Sequence, residues 1–399
     1  MPSDRTTVTE VGTGLGMLGL AGIDDAVQSH TGVMRSLSPE MWERLERLRS
    51  GGAYDAEFHA AWANGQAFLT AADGLRGRLP QVIEWKGTGR APGDEVAPID
   101  LRVDHVYLVS CKYLSKILFN VSPGSVFDAL LFGGPARGGR ATRDVQPGGG
   151  DWYADVAPQE YQALYECVRE AARHAAESTA APAPSSSPPT ERPGRTPAVL
   201  ALPGLDVAPT TEEPALDASR PRPLPAALRD LPLRAVDLTV VQRDALGQWL
   251  RPGWPPMAKE LYGDLSRMVG RASVRRWEAA MDDRGGNGEA MLWRLLRIGS
   301  APYFVLGSAA ERSLRLRIAT SWDWRQHFQL ISISMEGQAG GQPRVGWEAV
   351  VRDRTSNEVQ TVVGHIEVRW SHGRFGGLPE AKGYLDTPHH LVPGYFVLR

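Results

Sequence analysis

The chain is poor in cysteine. Cys111 and Cys167 are the only two among 399 residues, which excludes a disulfide-stapled secreted scaffold and a zinc site built mainly on thiolates. Both are expected to be free thiols, buried, in a reducing cytoplasm. Long hydrophobic runs are missing as well. The stretch GLGMLGLAGI, Gly14 to Ile23, is apolar, lacks a basic lead and runs into Asp24-Asp25. It is too short to cross a bilayer, so it reads as neither signal peptide nor membrane helix, and a cytoplasmic protein without a membrane partner is expected. Charge of one sign is not in excess either, with a formal net charge of −2. That removes the whole-chain basic signature of a nucleic-acid binder, although binding needs only a local basic face.

Several chemical motifs are also absent. GTGLG (Gly12 to Gly16) is not followed by Lys-Ser/Thr and so makes no phosphate loop. No G-x-S-x-G elbow is present. His372, His389 and His390 lack the spacing of a zinc helix. What is present is a globular composition in which the basic residues are mostly Arg, whose planar donors suit phosphates and bases.

The pattern divides the chain into four parts. Residues 1–35 are Gly-, Thr- and Ser-rich without clear periodicity and read as a flexible arm. Residues 36–177 read as an α/β domain. A helix starts at Ser38-Pro39 and stops at Gly51-Gly52. A second helix covers DAEFHAAWANGQAFLTAADG, with Gly65 as a weak point. Strands follow at QVIEW, IDLRV and VYLVSCKY, then helices at SVFDALLF and PQEYQALYECVREAARHAA. Residues 178–230 are rich in Pro, Ala and Ser and read as a linker. Residues 231–399 read as an α+β domain with an antiparallel sheet, opening with helices and passing to strands at LRLRIATSW, HFQLISISME, VGWEAVVRD and VQTVVGHIEVRW. The turn-rich C-terminal segment is expected to wrap around that sheet.

The stretch PIDLRVDHVYLVSCKY carries the sharpest chemical signal. It reads as a β-hairpin, and its register decides what the signal means. A two-residue turn at Asp104-His105 puts Asp100 on the face opposite Ser110 and Lys112. A three-residue turn at Asp104-His105-Val106 sets Asp100 beside Ser110, on the face that Lys112 shares. Both turn lengths are common. In the second register a carboxylate lies beside an ammonium at a strand end. A metal-dependent phosphodiesterase needs that pair, the carboxylate for Mg²⁺ and the lysine for charge developing at phosphorus.

These residues resemble the PD-(D/E)XK nuclease superfamily, the fold of many type II restriction endonucleases, over roughly residues 40 to 175. The likeness rests on PID, ending at Asp100, and SCK, ending at Lys112. It departs at Ser110, where that family carries an acid. The resemblance implies a three-layer core running helix, three antiparallel strands, helix, strand, helix. It implies Asp100 as metal ligand, Lys112 as charge stabiliser and Ser110 orienting a water. In Ser-x-Lys relatives the missing acid comes from the following helix, which points to Asp128. Glu57 and Glu84 are the other candidate ligands, and Glu84-Trp85-Lys86 spells a second Glu-x-Lys ahead of Asp100. The resemblance further implies Mg²⁺, DNA as substrate, a restriction or defence role and pairing of two copies.

In the C-terminal half, Arg275, Arg276, Arg315, Arg317, Arg325, Arg369 and Arg374 are candidate DNA contacts. Each has a plainer alternative: a solvated helix face for Arg275 and Arg276, or a cross-strand charge ladder for His365, Glu367 and Arg369. The expected function is a Mg²⁺-dependent DNA endonuclease. The alternative is a nuclease-fold module that binds DNA or protein without cutting.

Overall fold

The computed structural model describes residues 3–87, 99–113, 117–131, 150–180, 224–283, 285–309, 312–338 and 340–399. The N-terminal stretch read as a flexible arm is the most enclosed helix of its layer. Helix α1 (Asp4–Gly16) is capped by the Ser3 side chain, and every residue from Thr7 to Gly16 is buried. It is followed by α2 (Ile23–Gln28), a short strand β1 (Met34–Arg35), α3 (Pro39–Ser50) and α4 (Asp55–Thr70). Helix α3 is bounded as its sequence suggests, with Ser38 as N-cap, Pro39 in the first turn and Gly51 at the C-cap. Helix α1 gives no such signal. Buried on all sides, it has no polar face, and its Thr and Gly residues are poor helix formers that tertiary packing overrides.

Glycine sets the spacing between α1 and α4. A Cβ at Gly65 would stand 2.1 Å from the Thr13 carbonyl oxygen, and one at Gly16 would stand 2.3 Å from that of Trp62. Gly65 therefore does not weaken α4 as a break. It is the contact surface on which α1 rests.

Strands β2 (Ile83–Trp85), β3 (Leu101–Val103) and β4 (Tyr107–Tyr113) form an antiparallel meander. Then come β5 (Ile117–Val121), α5 (Pro123–Phe127), α6 (Trp152–Val156) and α7 (Pro158–Ala180). The helix expected at SVFDALLF is limited to α5, with Asp128 as its C-cap. Residues 181–223, the body of the Pro-rich stretch, lie outside the described residues. After them run α8 (Val240–Trp249), α9 (Ala258–Asp283), α10 (Gly288–Leu295), β6 (Tyr303–Ala309) and β7 (Arg312–Ile318). The strand expected to run through to Trp322 ends at Ile318, because Thr320 and Asp323 form a capping box that starts α11 (Ser321–His327). The chain closes with β8 (Phe328–Gln338), β9 (Arg344–Asp353), β10 (Val359–Trp370), β11 (Pro379–Leu385) and β12 (Tyr395–Val397).

The strands make a seven-stranded mixed sheet, β1-β2-β3-β4-β6-β7-β12, and a five-stranded antiparallel sheet, β5-β11-β10-β9-β8. Both draw on both sides of the Pro-rich stretch. β4 pairs in parallel with β6, and β5 pairs with β11. The two globular units expected before and after that stretch thus share their sheets. A buried ion pair adds to the joint: Arg243 of α8 meets Asp151, ahead of α6, at 3.1 Å, and Tyr161 of α7 donates to the same carboxylate oxygen. The seven-stranded sheet has a core on each face. Val109, Cys111, Phe304 and Leu306 pack with α1–α4, while Leu108, Val305, Leu316 and Ile318 pack with the helices and second sheet opposite. Among the described residues no helix is long and apolar enough to cross a membrane.

Gly65→Ala is the direct test of the α1–α4 contact. The methyl group has no room beside backbone, so urea unfolding is expected to show a loss on the order of 1–3 kcal/mol. An unchanged midpoint would mean the helices are free to separate.

Candidate functional site at the end of strand β4

The hairpin takes the three-residue turn. Val103 pairs with Tyr107 and Leu101 with Val109. Asp104 and His105 adopt left-handed conformations, φ 49° and 59°, which a type I′ turn requires. The Asp104 side chain holds them by accepting from the backbone amides of Gln81 and Val82. Val106 is left outside the pairing and 72% exposed.

This register sets Asp100 against the end of β4. Its backbone amide still donates to Val109, and its carbonyl accepts from Lys86. One side-chain oxygen, Oδ2, accepts from the Cys111 amide at 2.6 Å and from the Ser110 hydroxyl at 3.2 Å. The carboxylate thus satisfies a backbone donor that the end of β3 would otherwise leave unpaired. Ser110 is fully buried and its hydroxyl is given to Asp100. It positions that carboxylate. On the far side of β4, Gly307 pairs with Lys112, where a Cβ would stand 2.0 Å from the Lys112 carbonyl oxygen.

The second acid at this point is Glu10, which the sequence reading missed. It lies on α1, 7% exposed, and accepts from the Trp85 indole at 2.6 Å. Burial, and next the Asp100 charge, push its carboxyl up to about 8, against the opposing pull of the Trp85 hydrogen bond and of Lys112. Asp100 and Lys112 therefore both lie within electrostatic reach of Glu10. Glu10 is held neutral at physiological pH, and the free acid and Asp100 do not repel. The Cys111 thiol is pushed well above its ordinary value by burial and then by these two acids, which makes it an inert thiol. A signal for Glu10 did exist: it is the only acid between Arg5 and Ile23, set in a run of small and apolar residues where a charge is unexpected.

The three acids proposed from the sequence as auxiliary ligands have basic partners of their own. Glu57 is bound by Arg5 at 2.9 Å. Glu84 lies among Lys86, Arg102 and His105, on the face of β2 opposite Trp85. Asp128 is taken by Arg276 at 2.9 Å. Among the described residues, no three His, Cys, Asp or Glu side chains gather where they could hold a metal. The donors present are two carboxylates, hard oxygens that would suit Mg²⁺ or Mn²⁺ rather than zinc.

The candidate DNA contacts do not form one basic face. Arg276 also meets Asp155 and lies over the Trp152 ring. Arg325 pairs with Glu289 over Trp293. Arg374 donates to the carbonyls of Leu250 and Arg251 over Trp254. Arg315 ties β7 to α4 through Asn64 and the Ala63 carbonyl, and burial lowers its pKa. Arg317 lies over Phe396. Arg275 is exposed on α9. Arg369 is on β10 across from Glu380, in the polar row where Glu367 meets Arg344 and His365 meets Asp386. That row is a cross-strand charge ladder.

Glu10 makes stability depend on pH. Its folded pKa is raised, so the folded state binds this proton more tightly than the unfolded one. The penalty for ionising it is absent below about pH 4.5 and complete above about pH 8. Glu10→Gln keeps an acceptor for Trp85 but cannot ionise. Its melting temperature should match the wild type near the acid end of that window and exceed it at the alkaline end, by on the order of a few kcal/mol of stability. Parallel melting curves across the window would show that Glu10 is not neutral in the fold.

The chain matches no protein-family model, no curated protein and no solved structure.

Proposed function

We propose that this protein is a Mg²⁺-dependent DNA endonuclease on the PD-(D/E)XK plan. The observation that carries the proposal is that the buried Glu10 lies within electrostatic reach of Asp100 and Lys112 near the end of β4. The strand order supports it in part: a helix precedes an antiparallel meander, β2-β3-β4, and helices then lead to β6 beside β4, but β5 intervenes in the other sheet and β7 rather than a helix follows β6. A restriction or defence role and the pairing of two copies follow from the same resemblance.

In this reading Asp100 and Glu10 hold the cation, and the Cys111 amide and Ser110 hydroxyl fix Asp100 in place. A bound Mg²⁺ would activate water and neutralise phosphate charge. Lys112 stabilises the attacking oxygen or the charge developing on the phosphate. Glu10 replaces the acid missing at Ser110, from the preceding helix rather than the following one. It must give up its proton to bind metal, so affinity rises with pH toward about 8.

The second reading, a nuclease fold that binds without cutting, is favoured by Ser110 itself and by the count of two acids rather than three. Plasmid nicking separates the two. The endonuclease reading expects Mg²⁺- or Mn²⁺-dependent nicking that falls on the order of 100-fold or more in Asp100→Ala, Lys112→Ala and Glu10→Gln. Nicking that survives both Asp100→Ala and Lys112→Ala sinks it. Retarded DNA with no cleavage under either metal selects the binding module. Mg²⁺ should also raise the melting temperature of the wild type more at pH 8 than at pH 6, and not that of Glu10→Gln.

A further inference from the structure

We propose that Arg5 is a phosphate-gripping residue of the same site, held ready by Glu57 and Tyr113; this rests on the nuclease reading above. Helix α1 and strand β4 run in opposite directions. Gly14 packs against Ile83, in the row that Val103 and Tyr107 continue, and Arg5, nine residues earlier on α1, lies over Tyr113, six residues later on β4. The first turn of α1 thus lies at the strand end that carries Lys112. Arg5 is five positions from Glu10, about 7.5 Å along the helix axis. That is the reach of a nearby phosphate on the same strand rather than of the one being cut.

The chemistry of Arg5 is that of a fixed donor. Its Nε donates to Glu57 Oε1 at 2.9 Å, and its guanidinium carbon lies 5.8 Å from the centre of the Tyr113 ring. The Glu57 side chain is 7% exposed, whereas that of Arg5 is 63% exposed. One edge of the guanidinium is therefore anchored to a buried carboxylate and one face to an aromatic ring. Its two terminal nitrogens have no partner among the described residues. An exposed arginine usually gives up rotamer freedom when it grips a ligand. Here the anchor has already removed much of that freedom. The free edge is the two-nitrogen fork that matches a phosphate's oxygens. This also gives Glu57 a part in the site: it positions Arg5 rather than binding metal.

The test measures binding of the full chain to a labelled DNA duplex, with Ca²⁺ in place of Mg²⁺, across a salt titration. Arg5→Ala is expected to weaken binding roughly 5- to 20-fold and to lower the slope of log affinity against log salt by about one. Glu57→Gln should weaken binding less and keep the slope, since it frees the guanidinium without removing its charge. Arg5→Gln, which retains a donor for Glu57, covers the case in which alanine unsettles α1, and should repeat the loss of slope. Unchanged affinity and slope in both Arg5 variants overturn the assignment. A wild type that never cleaves but shows the Arg5-dependent slope overturns the nuclease reading and keeps this one. A wild type that cleaves, with Arg5 variants of unaltered slope, does the reverse. A wild type that does not bind DNA overturns both.

Discussion

The carbonyl oxygen of Thr13 lies where the side chain of residue 65 would begin. Only a glycine pair lets two helices come so close, and that closeness positions the site. With Gly12 and Gly16 facing α4, helix α1 is pressed between α4 and the sheet instead of riding above them. Gly14 then reaches Ile83, Glu10 reaches the Trp85 indole, and Arg5 reaches Tyr113. Each contact ties α1 to β2 or β4 near Asp100. A wider helix spacing would lift all three together, because they are spread along one rigid rod.

That enclosure has an electrostatic consequence. Glu10 is buried within reach of the Asp100 charge, and the fold favours its protonated form. Asp100 accepts a backbone amide and a hydroxyl. Glu10 has a single indole donor and little water. The corner is thus stable without a cation and strained by alkali.

Much of the fold was legible where a local signal exists. Ser38-Pro39 and Gly51 bounded α3 because capping is a matter of adjacent residues. The meander β2-β3-β4 followed from three short apolar runs separated by turns. The turn length, which decides where Asp100 lies, was not legible, since it depends on Asp104 reaching back to Gln81 and Val82. Helix α1 was misread for a deeper reason. A helix buried on every side has no polar stripe, so periodicity is silent, and its Gly and Thr content imitates a loop. Losing α1 meant losing Glu10. The shared sheets were hidden likewise, because β4 and β6 are neighbours only after nearly two hundred residues of chain, and pairing at that range leaves no mark in either strand.

The arginines show how composition can mislead about a surface. Alternation in β7 placed Arg315 and Arg317 on one face correctly, but that face is the one covered by α4, so Arg315 went to Asn64. Arg276, Arg325 and Arg374 each lie over an aromatic ring with an acid or carbonyls as partner, which is how a fold with a net charge of −2 uses planar cations for packing. In the proposed site, the cations nearest the candidate acids are the two that stand at the end of β4. Lys112 makes no close ion pair with a described carboxylate, and Arg5 is anchored by only one edge. A phosphate backbone would be drawn by these two cations at a strand end and not by a broad basic surface, so binding would involve few released counterions and a shallow dependence on salt.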